Sequence, residues 1–352
     1  MKKLIALLLA LVMVVGLVAC GAKEEAAPEA APEAAPEAAP EAEEAAPEAE
    51  EAAPEAEAES DGAKPKVAFI PQSLANASQA YAWTQYQKLA DEYGVEVTVF
   101  DEDYDAQNGV AAIGTCIAQG YDAIVCCPSD PSALIPALME AKEAGIIVGL
   151  YSSELPEGYA TPEYRDFMCG TNDFLFGQIA AQTLMEAFPD GCNVVEVGGQ
   201  SGHSAQILRH DGFVDIIDGT NITMLDSKDC EQWAAEDAMA ITEDFIVKYG
   251  DEIQAVYCHW DGGATGVIEA LKAAGMNDVY VIGVDGSSVG FDQVNEGTQA
   301  LCIGQNFTTM THDALTCITK ILAGETLESD VVWTNPDIIT KDTIANFPYP
   351  EW

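Results

Sequence analysis

Short apolar segments rich in Val and Ile alternate with helix-like segments over residues 66–322. Such apolar segments are typical of strands that are buried on both faces of a parallel sheet. Several of the helix-like segments end at a glycine, as at Gly94, Gly120 and Gly145. Because strand–helix–strand units form right-handed crossovers, the sequence predicts an α/β fold.

The number of these units favours two lobes over one. There are about ten strand–helix pairs in two similar sets, whereas a closed barrel of this type has about eight. Two doubly wound parallel-sheet lobes, with the carboxyl ends of their strands facing each other across a cleft, fit this count better.

Residues 279–290 indicate where a site could lie. A buried strand over residues 279–284 is followed by Asp285 and Gly286, and a helix begins near Ser288. Open α/β folds bind ligands at the carboxyl ends of their strands, so Asp285 is a candidate ligand residue. An Asp at this place also caps helices and shapes turns, and the segment by itself leaves both roles open.

The start of the chain has the pattern of a signal peptide. Lys2 and Lys3 precede an apolar segment at residues 4–19 that is short for a membrane span. The following Leu17-Val-Ala-Cys20-Gly21 resembles the lipobox of bacterial lipoproteins, which implies cleavage after residue 19 and lipid attachment to Cys20. An ordinary signal peptide with a chance cysteine is the alternative.

Residues 20–65 are dominated by Ala, Glu and Pro. Proline interrupts helices, and the segment has no large apolar side chains to bury. We therefore expect a disordered, extended linker. With a lipid at Cys20, this linker would hold the folded part away from the outer face of the cytoplasmic membrane, which suits a Gram-positive cell surface better than a periplasm.

Composition excludes several classes of partner. From residue 61 onward the chain has 45 acidic and 11 basic residues, which argues against nucleic acid as a partner.

The four histidines are scattered, and the ten cysteines include no C-x-x-C pair, so we expect no metal. No phosphate-binding glycine motif is present, and no cofactor is expected. The nine cysteines other than Cys20 are expected to be mostly buried thiols, with disulfides left open.

Six segments together resemble one family. The chain is similar to the ribose-binding-protein-like substrate-binding proteins of ABC importers, and the resemblance lies in residues 67–76, 123–130, 170–177, 202–213, 255–261 and 281–286. It implies a type I periplasmic-binding-protein fold with a multi-crossing hinge. The first lobe would comprise residues 66–171 and 306–335, and the second residues 172–305 and 336–352. It also implies hinge closure around a small ligand, presentation to membrane permease subunits, and a monomer.

The resemblance implies Asn76, Arg209, Asp285 and Gln305 as ligand residues. Their donors and acceptors suit the hydroxyls of a polyol. Arg209 could instead pair with Asp211, and Asn76 could only shape its turn.

The chain departs from the ribose binders at several ligand positions. An Asp-Arg pair is replaced by Ser152 and Ser153, a first-loop aromatic by Ser78, and an Asn by Trp260. We include these residues in the predicted site, together with Gln72 of the first polar loop. Trp260 is the candidate for stacking on a sugar face. The other candidates, Trp83 and Trp233, are expected to pack within the lobes.

One sequence motif fits an enzyme instead. Gly286-Ser-Ser-Val-Gly290 matches the G-x-S-x-G pattern of a serine hydrolase. Only His312 follows Ser288, and it lies within a helix-like segment. The sequence therefore favours a non-enzymatic binder of a monosaccharide or polyol for an ABC importer. A sensor of a signalling furanose or nucleoside is the second interpretation, and a surface hydrolase the third.

Overall fold

The computed structural model describes residues 63–352, which form two α/β lobes. The chain begins with β1 (Lys66–Pro71), α1 (Ala77–Leu89), β2 (Glu96–Val99), α2 (Ala106–Gln119), β3 (Ala123–Cys127), α3 (Pro131–Glu143), β4 (Ile147–Tyr151) and β5 (Phe167–Thr171). It continues with α4 (Asp173–Ala187), β6 (Asn193–Gln200), α5 (Ser204–Ile217), β7 (Thr223–Cys230), α6 (Ala235–Tyr249), β8 (Ala255–Cys258), α7 (Asp261–Ala273), β9 (Tyr280–Asp285), α8 (Ser288–Glu296) and β10 (Leu301–Gly304). It ends with α9 (Phe307–Leu322), β11 (Val331–Thr334) and β12 (Asp337–Thr340).

Each lobe is built on a six-stranded sheet. The strand order is β11-β5-β4-β3-β1-β2 in the first lobe and β12-β10-β9-β8-β6-β7 in the second. All neighbouring strands are parallel except β10 and β12, which pair antiparallel. The predicted fold of two parallel-sheet α/β lobes is confirmed.

Alternating side chains of each central strand fill a core on each face of the sheet. In β1, Val67 and Phe69 belong to one apolar cluster, while Ala68 and Ile70 belong to the cluster on the opposite face. All five residues of β3 and of β4 are buried. Burial on both faces is the reason that these strands are continuously apolar in sequence.

The chain passes between the two sheets three times, after β5, after β10 and after β11. The first crossing follows Thr171, and the second follows Gly304. Helix α9 packs against β4 and β5, so the chain returns to the first lobe before β12 joins the second sheet. The connection between the lobes therefore consists of three adjacent segments.

Three local features differ from the sequence-based expectation. The apolar pattern predicts a strand only over residues 222–225, but β7 continues to Cys230, because an edge strand also carries polar side chains such as Ser227 and the exposed Lys228. The sequence predicts a helix over residues 231–249, whereas helix α6 begins at Ala235. The short strands β11 and β12 were not predicted, because they are edge strands with no helix between them.

The predicted signal peptide (residues 1–19), the lipid site at Cys20 and the linker up to residue 62 lie outside the described residues. Between residues 63 and 352 no helix is long and apolar enough to cross a bilayer. The nine cysteines in this part of the chain are all free thiols, and all are buried.

Candidate functional site

A cavity of about 370 Å³ lies between the lobes, where the carboxyl ends of strands from both sheets meet. Eight of the nine predicted ligand contacts line it: Gln72, Asn76, Ser78, Ser152, Arg209, Trp260, Asp285 and Gln305. The first four come from the first lobe and the next three from the second, while Gln305 lies at the second crossing.

Ser153 is not among the residues that line the cavity. Its side chain is fully buried, and its Oγ lies 3.2 Å from the Oγ of Ser204 at the start of α5. The backbone N–H of Glu154 donates to the same Ser204 hydroxyl at 3.0 Å. Ser153 thus contacts the opposite lobe directly, whereas Ser152, with φ of 58°, faces the cavity.

Arg209 is a buried cation on α5. Its Nε and Nη2 donate to Oδ1 of Asp173 at 2.8 Å each, and its Nη1 donates to the carbonyl of His259. Burial by itself would lower the pKa of Arg209, but the carboxylates of Asp173 and Asp285 raise it above its ordinary value. The alternative pairing with Asp211 does not occur, because the partner is Asp173.

Asp285 ends β9 with φ of 129°, a left-handed conformation that is rare outside glycine and costs backbone energy. Its Oδ1 accepts from Nε2 of Gln305 at 2.7 Å. Burial and the nearby Asp261 raise the pKa of Asp285 to about 8, and Arg209 opposes this. The cap of the next helix is Ser287, whose hydroxyl accepts from the N–H of Gly290. Asp285 is therefore not the helix cap.

A chain of hydrogen bonds connects these groups across the first two crossings. The hydroxyl of Thr171 donates to Oε1 of Gln305 at 3.1 Å, and it also lies 3.5 Å from Oδ1 of Asp173. The chain thus runs from Arg209 through Asp173, Thr171 and Gln305 to Asp285. Groups that line the cavity and groups at the interlobe connection belong to one network.

Asp261 is a second buried carboxyl that the sequence analysis did not identify. Its Oδ2 accepts from the backbone N–H of Gly286 at 3.1 Å, and from the N–H and Oγ of Ser287 at 3.0 and 2.9 Å. Burial raises its pKa. Asp261 fixes the turn after Asp285, and its place at the start of α7, three residues after the end of β8, was the available sequence signal.

Two tryptophans form an apolar wall of the cavity. The rings of Trp233 and Trp260 meet edge-to-face at 5.4 Å, and a Cβ at Gly199 or Gly263 would collide with one of them. Trp233 was expected to lie on a helix and to pack within its lobe, but it lies in the loop between β7 and α6 and lines the cavity. Trp83 packs against the core of the first lobe.

Several polar groups at the cavity have no hydrogen-bond partner in the protein. They are the Oε1 atoms of Gln72 and Gln79, Nε2 of His203 and Nε1 of Trp233. Nδ1 of His203 accepts from the N–H of Ala205, which leaves the proton on Nε2. Burial and, to a lesser extent, the charge of Arg209 lower the pKa of His203 to about 3. The wall therefore contains both donors and acceptors.

Asn76 does shape its turn, as the sequence analysis had allowed. Its Oδ1 accepts from the backbone N–H of Ser78 at 3.0 Å and from the Ser78 hydroxyl at 2.7 Å, and it caps α1. This oxygen is already used by the protein. A ligand would therefore contact the amide nitrogen of Asn76.

The geometry around Ser288 does not resemble a hydrolase site. Ser288 is the first residue of α8, and its N–H donates to the carbonyl of Trp352. His312 lies on α9, which packs against the first sheet, and its Nδ1 is 2.5 Å from Oη of Tyr93. Within residues 63–352, no three His, Cys, Asp or Glu side chains are grouped to hold a metal ion.

Comparison with known proteins gives consistent matches. A family model described as a periplasmic binding protein domain matches residues 67–326. The chain is 25% identical over 267 residues to the ribose import binding protein of Escherichia coli (strain K12), covering 76% of this chain and 88% of that protein. It is 26% identical over 250 residues to the xylitol-binding protein of Mycolicibacterium smegmatis, covering 71% and 70%.

Solved structures show the same architecture. A galactofuranose binding protein matches with a TM-score of 0.75 at 24% identity, covering 80% of this chain and 96% of that one. The myo-inositol binding protein of Caulobacter matches with a TM-score of 0.74 at 22% identity, covering 80% and 95%. The resemblance to ribose-binding-protein-like proteins is confirmed. This chain belongs to the periplasmic binding protein domain family.

Proposed function

We propose that this chain is the solute-binding protein of an ABC importer, and that it takes a monosaccharide or related polyol in the interlobe cavity. The cavity volume of about 370 Å³ is within the range of small-molecule sites. The observation that carries the proposal is the placement of Asp285, Arg209 and Gln305 in one hydrogen-bonded network at a cavity that Trp233 and Trp260 also line. Polar groups and aromatic side chains in one cavity match the two kinds of surface that a sugar presents.

In this proposal the ligand links the lobes. Gln72 and Ser152 contribute from the first lobe, and Arg209 and Asp285 from the second. A ligand that contacts both lobes binds the closed form more tightly than the open form. This difference in binding free energy sets how far the ligand shifts the protein toward the closed form. The closed form would then be presented to the permease, with no bond of the ligand broken. Ligand candidates include furanoses and other monosaccharides, since one similar solved structure is a galactofuranose binding protein and another holds bound D-allose.

The test is thermal unfolding of the purified protein with a panel of pentoses, hexoses, furanoses, inositols, nucleosides and amino acids. A ligand at 100 times its dissociation constant stabilises the native state by about 2.7 kcal/mol, which corresponds to a rise in Tm of roughly 5–10 °C. A shift with a sugar or inositol supports the proposal. A rise in Tm with an amino acid alone contradicts the proposal, and so does the absence of a rise with every compound.

The site within the chain is tested by Asp285→Asn. Replacement of the carboxyl by an amide removes one hydrogen-bonding oxygen at the cavity and should weaken binding of the panel ligand about tenfold. The matched control is Asp278→Asn, because Asp278 is exposed and lies just before the opposite end of the same strand β9. Equal affinities of the two variants would place the ligand elsewhere.

We also propose that the protein is attached to the outer face of the cytoplasmic membrane through Cys20, as a monomer. The sequence Leu17-Val-Ala-Cys20-Gly21 supports this attachment. Cys20→Ser should release the protein from the membrane fraction of the expressing cells. Retention of the variant in that fraction would contradict the anchor.

A further inference from the structure

The segment of residues 347–352 follows the last strand and first packs on the second lobe. Phe347 packs against an apolar cluster that contains Phe291 and Ile339. The ring of Tyr349 meets the edge of Phe291 at 6.1 Å, and its hydroxyl donates to Asp292 at 3.2 Å. This part of the segment is therefore held by β10, β12 and α8 of the second lobe.

The end of this segment contacts the first lobe. The indole of Trp352 stacks on the ring of Tyr81 of α1 at 5.6 Å with an interplanar angle of 16°. It also meets the ring of Phe307 of α9 edge-on at 5.2 Å. The neighbouring Glu351 forms an ion pair with Lys88 of α1 at 2.9 Å. The carbonyl of Trp352, however, still accepts from the N–H of Ser288 in the second lobe.

Trp352 is thus tied to both lobes while its side chain lines the cavity. The platform beneath it is fixed, because the hydroxyl of Tyr81 lies 3.0 Å from the Thr308 hydroxyl of α9. When the lobes separate, the ring must leave Tyr81 or the carbonyl must leave Ser288. This part of the cavity wall is complete only when the lobes are closed.

We propose that Trp352 is a specificity-determining residue of the cleft, which supplies an aromatic wall on the side of α1 and α9 and restricts the ligand there to a single sugar ring. The proposal rests on the proposed function. Trp233 and Trp260 belong to the second lobe alone, whereas Trp352 joins the two lobes. When the lobes close, the Trp352 side chain therefore covers a ligand in the cavity. A second sugar unit on this side would have to displace that side chain.

The test compares Trp352→Ala with two controls. Trp333→Ala removes a tryptophan that is 49% exposed on the edge strand β11, away from the cavity. Glu351→Gln removes only the exposed ion pair with Lys88, which should contribute little. Each variant is titrated by calorimetry with D-ribose, D-galactose and D-glucose, and with lactose and maltose. The radius of gyration of each variant is also measured by solution scattering without ligand.

We expect Trp352→Ala to bind the monosaccharide recognised by the wild type about tenfold more weakly. The ratio of disaccharide to monosaccharide affinity should rise by a similar factor, and both controls should resemble the wild type. Unchanged affinities in Trp352→Ala would overturn the proposal. If the wild type binds none of the five sugars, the titrations use the sugar or inositol that shifts its Tm, and if none shifts it, the proposed binding function fails instead. The scattering measurement then decides separately: a larger radius in Trp352→Ala supports the contact with both lobes, and an equal radius overturns it.

Discussion

Gly212→Ala should destabilise the second lobe, although alanine favours a helix over glycine by about 1 kcal/mol. Helices α4 and α5 cross at two facing glycines. A Cβ at Gly212 would lie under 3.0 Å from the carbonyl oxygen of Phe174, and one at Gly177 would lie equally close to the carbonyl of Arg209. The obstructing atoms belong to the backbone, so a side-chain rotation cannot relieve the collision.

The magnitude follows from two opposing effects. Overpacking of a filled interface costs about 1–3 kcal/mol, and the intrinsic gain of alanine offsets about 1 kcal/mol of this cost. Because the collision at Gly212 is with backbone atoms, the cost should lie near the upper end of its range, and the free energy of unfolding should fall by about 2 kcal/mol. Because Arg209 lies on α5 one turn before Gly212, displacement of the helix should also weaken ligand binding.

Gly114→Ala is the matched control, since Gly114 lies within α2 and a Cβ there would meet no atom within 4 Å. This variant should gain about 1 kcal/mol in unfolding free energy. In urea unfolding followed by circular dichroism, the midpoints of the two variants should move in opposite directions from the wild type. A shift of both midpoints in the same direction would refute the packing argument.

Two further predictions concern buried carboxyls. Burial raises the pKa of Glu102 to about 7, although Ser129 donates two hydrogen bonds to it. The folded state therefore holds a proton between about pH 4.5 and 7 that the unfolded chain releases, and the unfolding free energy should fall by ~3 kcal/mol as pH rises through this window. Glu102→Gln should remove this slope, as measured by urea unfolding at several pH values. Asp173→Asn leaves the Arg209 charge buried and unpaired and should lower the unfolding free energy by about 3 kcal/mol, as measured at pH 7.

Each of these predictions has a clear contrary result. For Glu102, the control is Glu143→Gln, an exposed position on α3. A pH slope that persists in Glu102→Gln, or disappears equally in Glu143→Gln, would assign the slope to other groups. For Asp173, a loss of less than about 0.5 kcal/mol would mean that the contact of Arg209 with the His259 carbonyl suffices to hold its charge.

The strand–helix order was readable from the sequence because central strands buried on both faces are continuously apolar, as in β3 and β4. The same reasoning missed β11 and β12, since short edge strands have neither this pattern nor a following helix. It also predicted too early an end for β7, because polar and apolar side chains alternate along an edge strand.

The candidate site was partly predictable for a related reason. Asp285 ends β9 and Trp260 lies two residues after β8, and the position of a strand end can be inferred locally. Asp173 as the partner of Arg209 could not be inferred, because the two residues are brought together only by the crossing of α4 and α5. Trp352 was missed for the same reason, since its place in the wall depends on how a distant segment folds back over both lobes.

The complete burial of the nine described cysteines gives the protein a set of internal reporters. Cys116, Cys126, Cys127, Cys169 and Cys317 lie in the first lobe, and Cys192, Cys230, Cys258 and Cys302 in the second. A thiol-directed reagent reaches each of them only after local opening of the surrounding core. Mass spectrometry of partially labelled protein would therefore show which lobe opens first, and how far a bound solute slows the opening of each.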